Sequence, residues 1–212
     1  MKIRTQLFIG LAVFALLLLL ISALVVMTNQ EVERLNREEA IARGIALKSG
    51  ELEYLSNDYI LYREPQQADR WESKFASISR DVESLSASTP EKLAIVGSLR
   101  ANLGNLRSVF DSLASAPPRP GGTDPALIQL SWSRLEIQNQ GMVFDASRLS
   151  NLLREESNRK KTENFLFTLA LMGLFCGFLL TSYFVFYRRT LRSLANLQEG
   201  TRAIGSGDLD YT

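Results

Sequence analysis

The fold is decided by the stretch Arg70–Leu113, which reads RWESKFASISRDVESLSASTPEKLAIVGSLRANLGNLRSVFDSL. Large apolar residues recur in it every three or four positions, which is the spacing of one face of an α-helix. The pattern stays in phase through Pro90, so periodicity alone permits one kinked helix as well as two separate helices. The apolar positions are Trp71, Phe75, Ile78, Val82 and Leu85, then Val96, Leu99, Leu103, Leu106, Phe110 and Leu113.

Two further segments, one on each side of this stretch, carry the same kind of apolar stripe. Proline inside a helix costs about 3 kcal/mol, so prolines mark the ends of helices. Pro65, Pro90 and the cluster between Pro117 and Pro125 therefore divide the chain into four helical segments. No segment alternates with the period of a strand, and we predict an all-α protein. The outer stripes are Ile41, Ile45, Leu52, Leu55, Tyr59 and Tyr62, and Ile128, Leu135, Met142, Leu149 and Leu152.

Two apolar runs without a charged residue flank these segments, Leu7–Met27 and Phe165–Tyr187. Each reaches the length of about 20 residues that spans a bilayer as a helix. The first run follows Lys2 and Arg4, so a cleaved signal peptide is the alternative, but its length and the lack of a small-x-small cleavage site favour an uncleaved anchor. The predicted parts are a cytoplasmic N-terminus (1–6), transmembrane helices (7–27 and 165–187), a sensor domain (28–164), and a C-terminal helix followed by the start of a connector (188–212).

The two spans settle how the middle stretch must fold. A chain that leaves the membrane near residue 28 and returns near 164 needs an even number of long passes. It therefore folds back at Ser88–Glu91, where Thr89 also fits a helix N-cap followed by proline at the first helical position. We predict an up-down-up-down four-helix bundle whose first and last helices continue into the membrane helices. Its first helix, about 35 residues long, would reach roughly 50 Å from the membrane.

The charge distribution predicts an inner-membrane protein with both termini in the cytoplasm. Basic residues at the inner ends include Lys2, Arg4, Arg188 and Arg189. Arg159–Lys161 at the outer end argues the other way, but long domains translocate largely regardless of their charge. The net charge of the whole chain is +1, and acidic and basic residues are balanced between 28 and 164. With both termini in the cytoplasm, we expect residues 28–164 to be extracytoplasmic. Because their charge is balanced, we expect them not to bind nucleic acid.

The residue inventory argues against catalysis by this stretch of sequence. It contains no histidine, so it lacks both the commonest general base and the phosphoacceptor of a histidine kinase. Its single cysteine, Cys176, lies in the second apolar run and cannot form a disulfide within the chain. No metal-ligand spacing, nucleophile–base pair or phosphate-binding loop occurs. We expect no enzymatic activity, no metal and no cofactor.

The residues that follow the second apolar run resemble a known signalling element. Arg192-Ser193-Leu194-Ala195-Asn196-Leu197 and Ile204-Gly205-Ser206-Gly207-Asp208-Leu209-Asp210 look like the opening half of a HAMP domain. The Leu-x-x-Leu stripe and the Gly-Asp-Leu break keep the family's spacing. Ser193 departs from it, because HAMP domains usually carry Arg-Pro-Leu where this chain has Arg192-Ser193-Leu194.

The resemblance implies the input half of a transmembrane receptor, most similar to a sensor histidine kinase. Such a receptor would be a parallel homodimer in membrane lipid and would pass its signal to a cytoplasmic output module and a response regulator. A chemoreceptor or a cyclase-linked receptor shares the same plan, and a structural two-span membrane protein is a third class. The residues expected to relay the signal are Leu194, Leu197, Ile204, Gly207, Asp208 and Leu209.

Aromatic and polar residues are densest at the first predicted hairpin. The run Tyr62-Arg63-Glu64-Pro65 followed by Arg70-Trp71 resembles extracytoplasmic helical domains of some sensor histidine kinases. An Arg and Trp pair can hold an anionic or aromatic ligand through charge-assisted hydrogen bonds and stacking. The alternative is that Tyr59, Tyr62 and Trp71 belong to the core while the arginines are solvated. The candidate ligand-binding residues are Asn57, Tyr62, Arg63, Arg70 and Trp71.

Overall fold

A computed structural model of the chain describes residues 3–115 and 125–205, and it describes side-chain surroundings for 11–12, 14–115, 128–184 and 187. Every regular element within the described ranges is an α-helix, and none is a strand, so the predicted all-α class is confirmed. The helices are α1 (Ile3–Tyr62), α2 (Pro65–Ser84), α3 (Pro90–Ala114) and α4 (Pro125–Gly205).

Three of the four helices begin at a proline. Pro65, Pro90 and Pro125 are the first residues of α2, α3 and α4. The first turn of a helix has no partner for its N–H groups, so a residue without an N–H and with φ already near the helical value fits there. Thr89 caps α3, because its hydroxyl accepts a hydrogen bond from the Lys92 backbone N–H at 3.3 Å. The predicted helix boundary at Pro90 is confirmed.

The chain divides into two compact units, Met1–Met27 with Thr162–Thr212, and Thr28–Lys161. The first unit contains the apolar parts of α1 and α4, and many of their large side chains are exposed, as Leu19 (72% exposed) and Leu180 (69% exposed) illustrate. Only 6% and 0% of the most apolar windows of the two helices are buried, unlike the core helices of a water-soluble protein. Two helices are therefore long and apolar enough to cross a membrane.

The second unit has one core to which all four helices contribute. Trp71 of α2 is fully buried in it and stacks face to face on Phe110 of α3, with ring centroids 3.6 Å apart. Tyr59 of α1 contacts the same Phe110 ring at 5.0 Å. All the predicted apolar positions of α3 are buried, as are Leu135, Met142 and Leu149 of α4. The helical periodicity thus identified most of the core correctly.

Tyr62 is a correction to the predicted stripe of the first helix. Its side chain is 65% exposed, whereas Ile45, Leu52 and Tyr59 of the same stripe are buried. The reason is the end of the helix: α1 stops at Tyr62, and Arg63 takes a left-handed backbone conformation with φ of 54°. The chain therefore reverses directly after Tyr62, and the Tyr62 side chain does not pack in the core.

Side-chain hydrogen bonds connect neighbouring helices of the second unit at several heights. Between α1 and α2, the Lys48 ammonium donates to the Asp81 carboxylate at 2.6 Å. Between α2 and α3, the Arg107 guanidinium donates to Glu72 at 2.5 Å. This bond is the largest cause that raises the pKa of Arg107 above its ordinary value, and a bond to Asp111 is the second. These contacts share one order in the helix pairs α1–α2, α2–α3 and α1–α4. Residues with higher numbers on one helix contact residues with lower numbers on the other.

Candidate ligand-binding and relay sites

The first hairpin turns within two residues, Arg63 and Glu64. The Arg63 backbone N–H still donates to the Tyr59 carbonyl at 2.9 Å, and the left-handed φ of Arg63 then reverses the chain. Glu64 is extended and Pro65 starts α2. A non-glycine residue with positive φ is uncommon and costs energy, so the surrounding contacts must hold it in place.

Trp71 is a core residue with no free face in this conformation. Its side chain is fully buried, one ring face stacks on Phe110, and Phe75 stacks at 5.0 Å. Its indole N–H donates to the Ser56 hydroxyl at 2.9 Å, and that hydroxyl donates to the Leu52 carbonyl at 2.8 Å. The only polar atom of the indole is therefore satisfied inside the core. A ligand could contact Trp71 only after the helices separate.

Arg63 is held from two sides but keeps unused donors. One terminal nitrogen, Nη1, donates to the Leu113 carbonyl at the end of α3 at 2.6 Å. The guanidinium also lies 5.6 Å from the centroid of the Tyr59 ring, within the range of a cation–π interaction. Its Nε and Nη2 groups are buried and bond to none of the described residues. Arg63 therefore connects the first hairpin to α3, and the three N–H donors on Nε and Nη2 have no partner among the described residues.

The other three predicted ligand residues do not converge on Trp71. Tyr62 is exposed, Asn57 is half-buried, and Arg70 points outward. Arg70 lines an open groove of about 1030 Å³ between α1 and α2, together with Tyr54, Lys74 and Arg80. Neighbouring residues on a helix point about 100° apart, so the burial of Trp71 directs Arg70 away from it. Ligand binding by these five residues remains a prediction.

A second groove, between α1 and α4, is lined almost entirely by polar side chains and has a volume of about 540 Å³. Two nearly buried serines of α4 form bonds across it. Ser157 donates to the Asn36 amide oxygen at 2.7 Å, and Ser150 donates to the Glu39 carboxylate at 3.1 Å. The groove is thus part of the packing between α1 and α4. It is lined by Asn36, Glu39, Arg43, Ser150, Asn151, Arg154, Ser157, Asn158 and Lys161.

The lining of this polar groove favours an anion. It carries three cations, Arg43, Arg154 and Lys161, against the single carboxylate of Glu39, which pairs with Arg43. Guanidinium and ammonium groups with neighbouring amides and hydroxyls suit a ligand with several oxygens. Sequence reasoning missed this groove, although its α4 side repeats every seven residues as Ser-Asn-x-x-Arg and Ser-Asn-x-x-Lys. The signal was ambiguous because the sequence does not show which helix the repeat faces.

The predicted relay residues lie at the C-terminal end of the chain. Leu194, Leu197 and Ile204 belong to α4, but their side-chain surroundings are outside what the structure describes. Gly207, Asp208 and Leu209 follow the last described residue. Residues 188–205 are helical, and the HAMP resemblance and the relay function remain predictions.

Among the residues with described surroundings, no group of three or more acidic, histidine or cysteine side chains is placed to hold a metal ion. No protein-family model, no curated protein and no solved structure matches this chain. The functional argument therefore rests on the chain's own residues and their geometry.

Proposed function

We propose that this chain is the input part of a transmembrane signalling receptor. It senses a ligand or a partner protein outside the inner membrane and passes the signal to a cytoplasmic module, in our proposal a histidine kinase of a two-component system. One observation carries the proposal: α1 and α4 are unbroken helices that run from exposed apolar stretches to buried core positions such as Leu35 and Leu153. A stiff helix of this kind can transmit a small displacement from one end to the other.

We propose further that residues 28–161 form an up-down-up-down bundle. Support comes from the hydrogen-bonded pairs between helices. Lys48 and Glu51 of α1 bond to Asp81 and Lys74 of α2, and Glu38 of α1 accepts a bond from Ser86, which follows α2. Ascending positions on one helix thus meet descending positions on the next. Ser157 and Ser150 of α4 bond to Asn36 and Glu39 of α1 in the same sense. This arrangement brings α1 and α4 side by side, as a two-span receptor requires.

The proposed mechanism is a shift of α4 against α1. A ligand changes the balance between two arrangements only if it binds one of them more tightly. We propose that the polar groove supplies this difference in affinity, because its donors are divided between the two helices, with Arg43 on α1 and Arg154 and Lys161 on α4. An anion held by both sides would favour one spacing of the helices. The displacement would then pass along α4 toward Leu194, Leu197 and Ile204.

Two alternatives differ in the output and not in the input. A chemoreceptor or a cyclase-linked receptor would use the same two spans and the same helical sensor. A structural two-span membrane protein would need no relay helix after the second span. Sequencing the gene beyond the codon for Thr212 discriminates them, since a phosphoacceptor helix with an ATP-binding module favours the kinase and a long heptad coiled coil favours the chemoreceptor.

The proposed orientation can be tested by labelling single cysteines on intact cells. Ser115 is an exposed residue at the end of α3, and Thr190 follows the second apolar run. In a Cys176→Ala background, a membrane-impermeant thiol reagent should label Ser115→Cys and should label Thr190→Cys only after the membrane is permeabilised. Labelling of Thr190→Cys alone on intact cells would reverse the orientation and contradict the receptor proposal.

A further inference from the structure

Large apolar side chains are exposed at seven-residue intervals on α1 and on α4. On α1, Leu47, Tyr54 and Leu61 are 68%, 65% and 73% exposed. On α4, the corresponding series is Leu130, Ile137 and Phe144, at 53%, 62% and 67% exposed. Residues seven positions apart are separated by about two helical turns, so their side chains lie on the same face of the helix. We call these two sets the α1 stripe and the α4 stripe.

The two stripes lie at the same heights along the second unit. The bonds Glu39–Ser150 and Asn36–Ser157 fix the register between α1 and α4. Counting up α1 and down α4 from these two bonds sets Leu47 level with residues 142–146, whose centre is Phe144. The same count sets Tyr54 level with Ile137 and Leu61 level with Leu130. Neighbouring levels are about 10 Å apart.

We propose that a second copy of the chain covers both stripes. A twofold axis parallel to the helices brings every residue of one copy next to residues of the same height in the other. If α1 of one copy packs against α4 of the other, Leu47 meets Phe144, Tyr54 meets Ile137, and Leu61 meets Leu130. The symmetry repeats this seam, so both stripes of both copies are buried. This inference rests on the proposed function, to which it adds the surface through which the receptor dimerises.

The area of the stripes supports a second copy as the occupant. Large side chains that are half to three-quarters exposed offer on the order of 100 Å² each, so six of them offer roughly 600 Å² per copy. A stable interface buries about 800 Å² per partner. The stripes would thus supply most of the area, and the polar residues between them the remainder. A twofold axis parallel to the helices can pair the α1 stripe with the α4 stripe only if the two stripes lie at the same heights. Binding of an unrelated partner protein would not require this match.

The test is disulfide formation between two differently tagged full-length chains, coexpressed in a Cys176→Ala background. One chain carries Leu47→Cys and the other Phe144→Cys. Mild oxidation should give a disulfide-linked product that carries both tags, which can only form between chains. A disulfide requires β-carbons within about 4.5 Å. The pair Tyr54→Cys with Ile137→Cys should behave in the same way.

Two pairings serve as matched controls. Leu47→Cys with Leu130→Cys joins the same stripes two levels out of register, about 20 Å apart along the helices, and should not crosslink. Leu93→Cys, on an exposed leucine of α3 (60% exposed), should not crosslink with Phe144→Cys. Equal crosslinking in the matched and the mismatched pairs would overturn the proposal. So would strong crosslinking of Tyr54→Cys to itself without the Tyr54–Ile137 product, because it would indicate an α1–α1 seam.

A second measurement does not depend on disulfide geometry. Ile137→Glu places a charge in the seam and should shift the detergent-solubilised chain from dimer to monomer, with at least a tenfold loss of association measured by light scattering. Leu93→Glu should leave the dimer unchanged. A dimer that persists in Ile137→Glu overturns the proposed surface. Cysteine labelling of Ser115 and Thr190 tests the receptor proposal separately, so a wrong interface and a wrong function give different results.

Discussion

Asn139 offers the sharpest test of how the core of the second unit is built. Its side chain is fully buried in α4, and neither its amide nitrogen nor its amide oxygen bonds to any of the described residues. The Ser49 hydroxyl on α1 is also buried and bonds to none of the described residues. The α1–α4 register places the two residues within about one helical turn of each other. The core therefore contains polar side chains at one height that have no hydrogen-bond partner among the described residues.

Replacing Asn139 by leucine should stabilise the protein. Leaving a buried donor or acceptor unsatisfied costs about 1–3 kcal/mol for each group. Asn139→Leu removes two such groups while it keeps the number and branching of the side-chain heavy atoms; the larger volume of the methyl groups offsets part of the gain, and we expect the free energy of unfolding to rise by about 3 kcal/mol. With a urea m-value of about 2 kcal/mol/M, the unfolding midpoint should rise by roughly 1.5 M.

Tryptophan fluorescence can report this transition in the whole chain. The sequence has two tryptophans, and Trp132 is half exposed whereas Trp71 is fully buried. In a Trp132→Phe background, the emission of Trp71 reports the packing of the core during a urea titration in detergent. Asn151→Leu, a substitution at an exposed asparagine of the same helix, is the matched control and should change stability by less than about 0.5 kcal/mol.

A fall in the urea midpoint of Asn139→Leu would refute the reasoning. It would mean that the amide makes hydrogen bonds in solution, for example to an ordered water or to another part of the chain. If the midpoint rises as expected, the variant also informs the receptor proposal. A core that no longer contains the unsatisfied amide should repack less readily between two arrangements, so ligand-dependent output should fall while the protein becomes more stable.

Two other predictions follow from the hairpin and from the C-terminal helix. Trp71→Ala should destabilise the second unit by about 3–5 kcal/mol in urea titrations followed by circular dichroism, because it removes a large side chain that is fully buried in the core. Tyr62→Ala should change it by less than about 0.5 kcal/mol, and an equal loss in both would contradict the assigned burial. Ile204→Asp, joined to an output module, should lock signalling in one state, whereas Arg202→Asp should not; unchanged ligand-dependent output in both would exclude a relay role for this segment.

The positions of the helices followed from the sequence with little help from packing. Proline fixes φ and lacks an N–H wherever it occurs, so Pro65, Pro90 and Pro125 mark helix starts. The predicted capping by Thr89 is also a local effect, since its hydroxyl reaches only three residues along the chain. The apolar stripe of α3 identified its buried face because no competing apolar stripe exists on that helix.

The candidate ligand site depended on tertiary structure, and the sequence was a weaker guide there. Tyr62, Arg63 and Trp71 are close in sequence, but the end of α1 and the reversal at Arg63 send their side chains in different directions. Whether an aromatic or basic residue is available to a ligand depends on which neighbours cover it. For Trp71 that neighbour is Phe110, which is distant in sequence.

What the sequence alone determined was the number, ends and periodicity of the helices, and what only the tertiary structure decided was which stripe is buried. On α1, Ile45, Leu52 and Tyr59 repeat every seven residues, and so do Leu47, Tyr54 and Leu61. The first set is in the core and the second is exposed. A repeat of seven shows only that side chains share a face of their own helix. The direction of that face is set by the helices that pack around it.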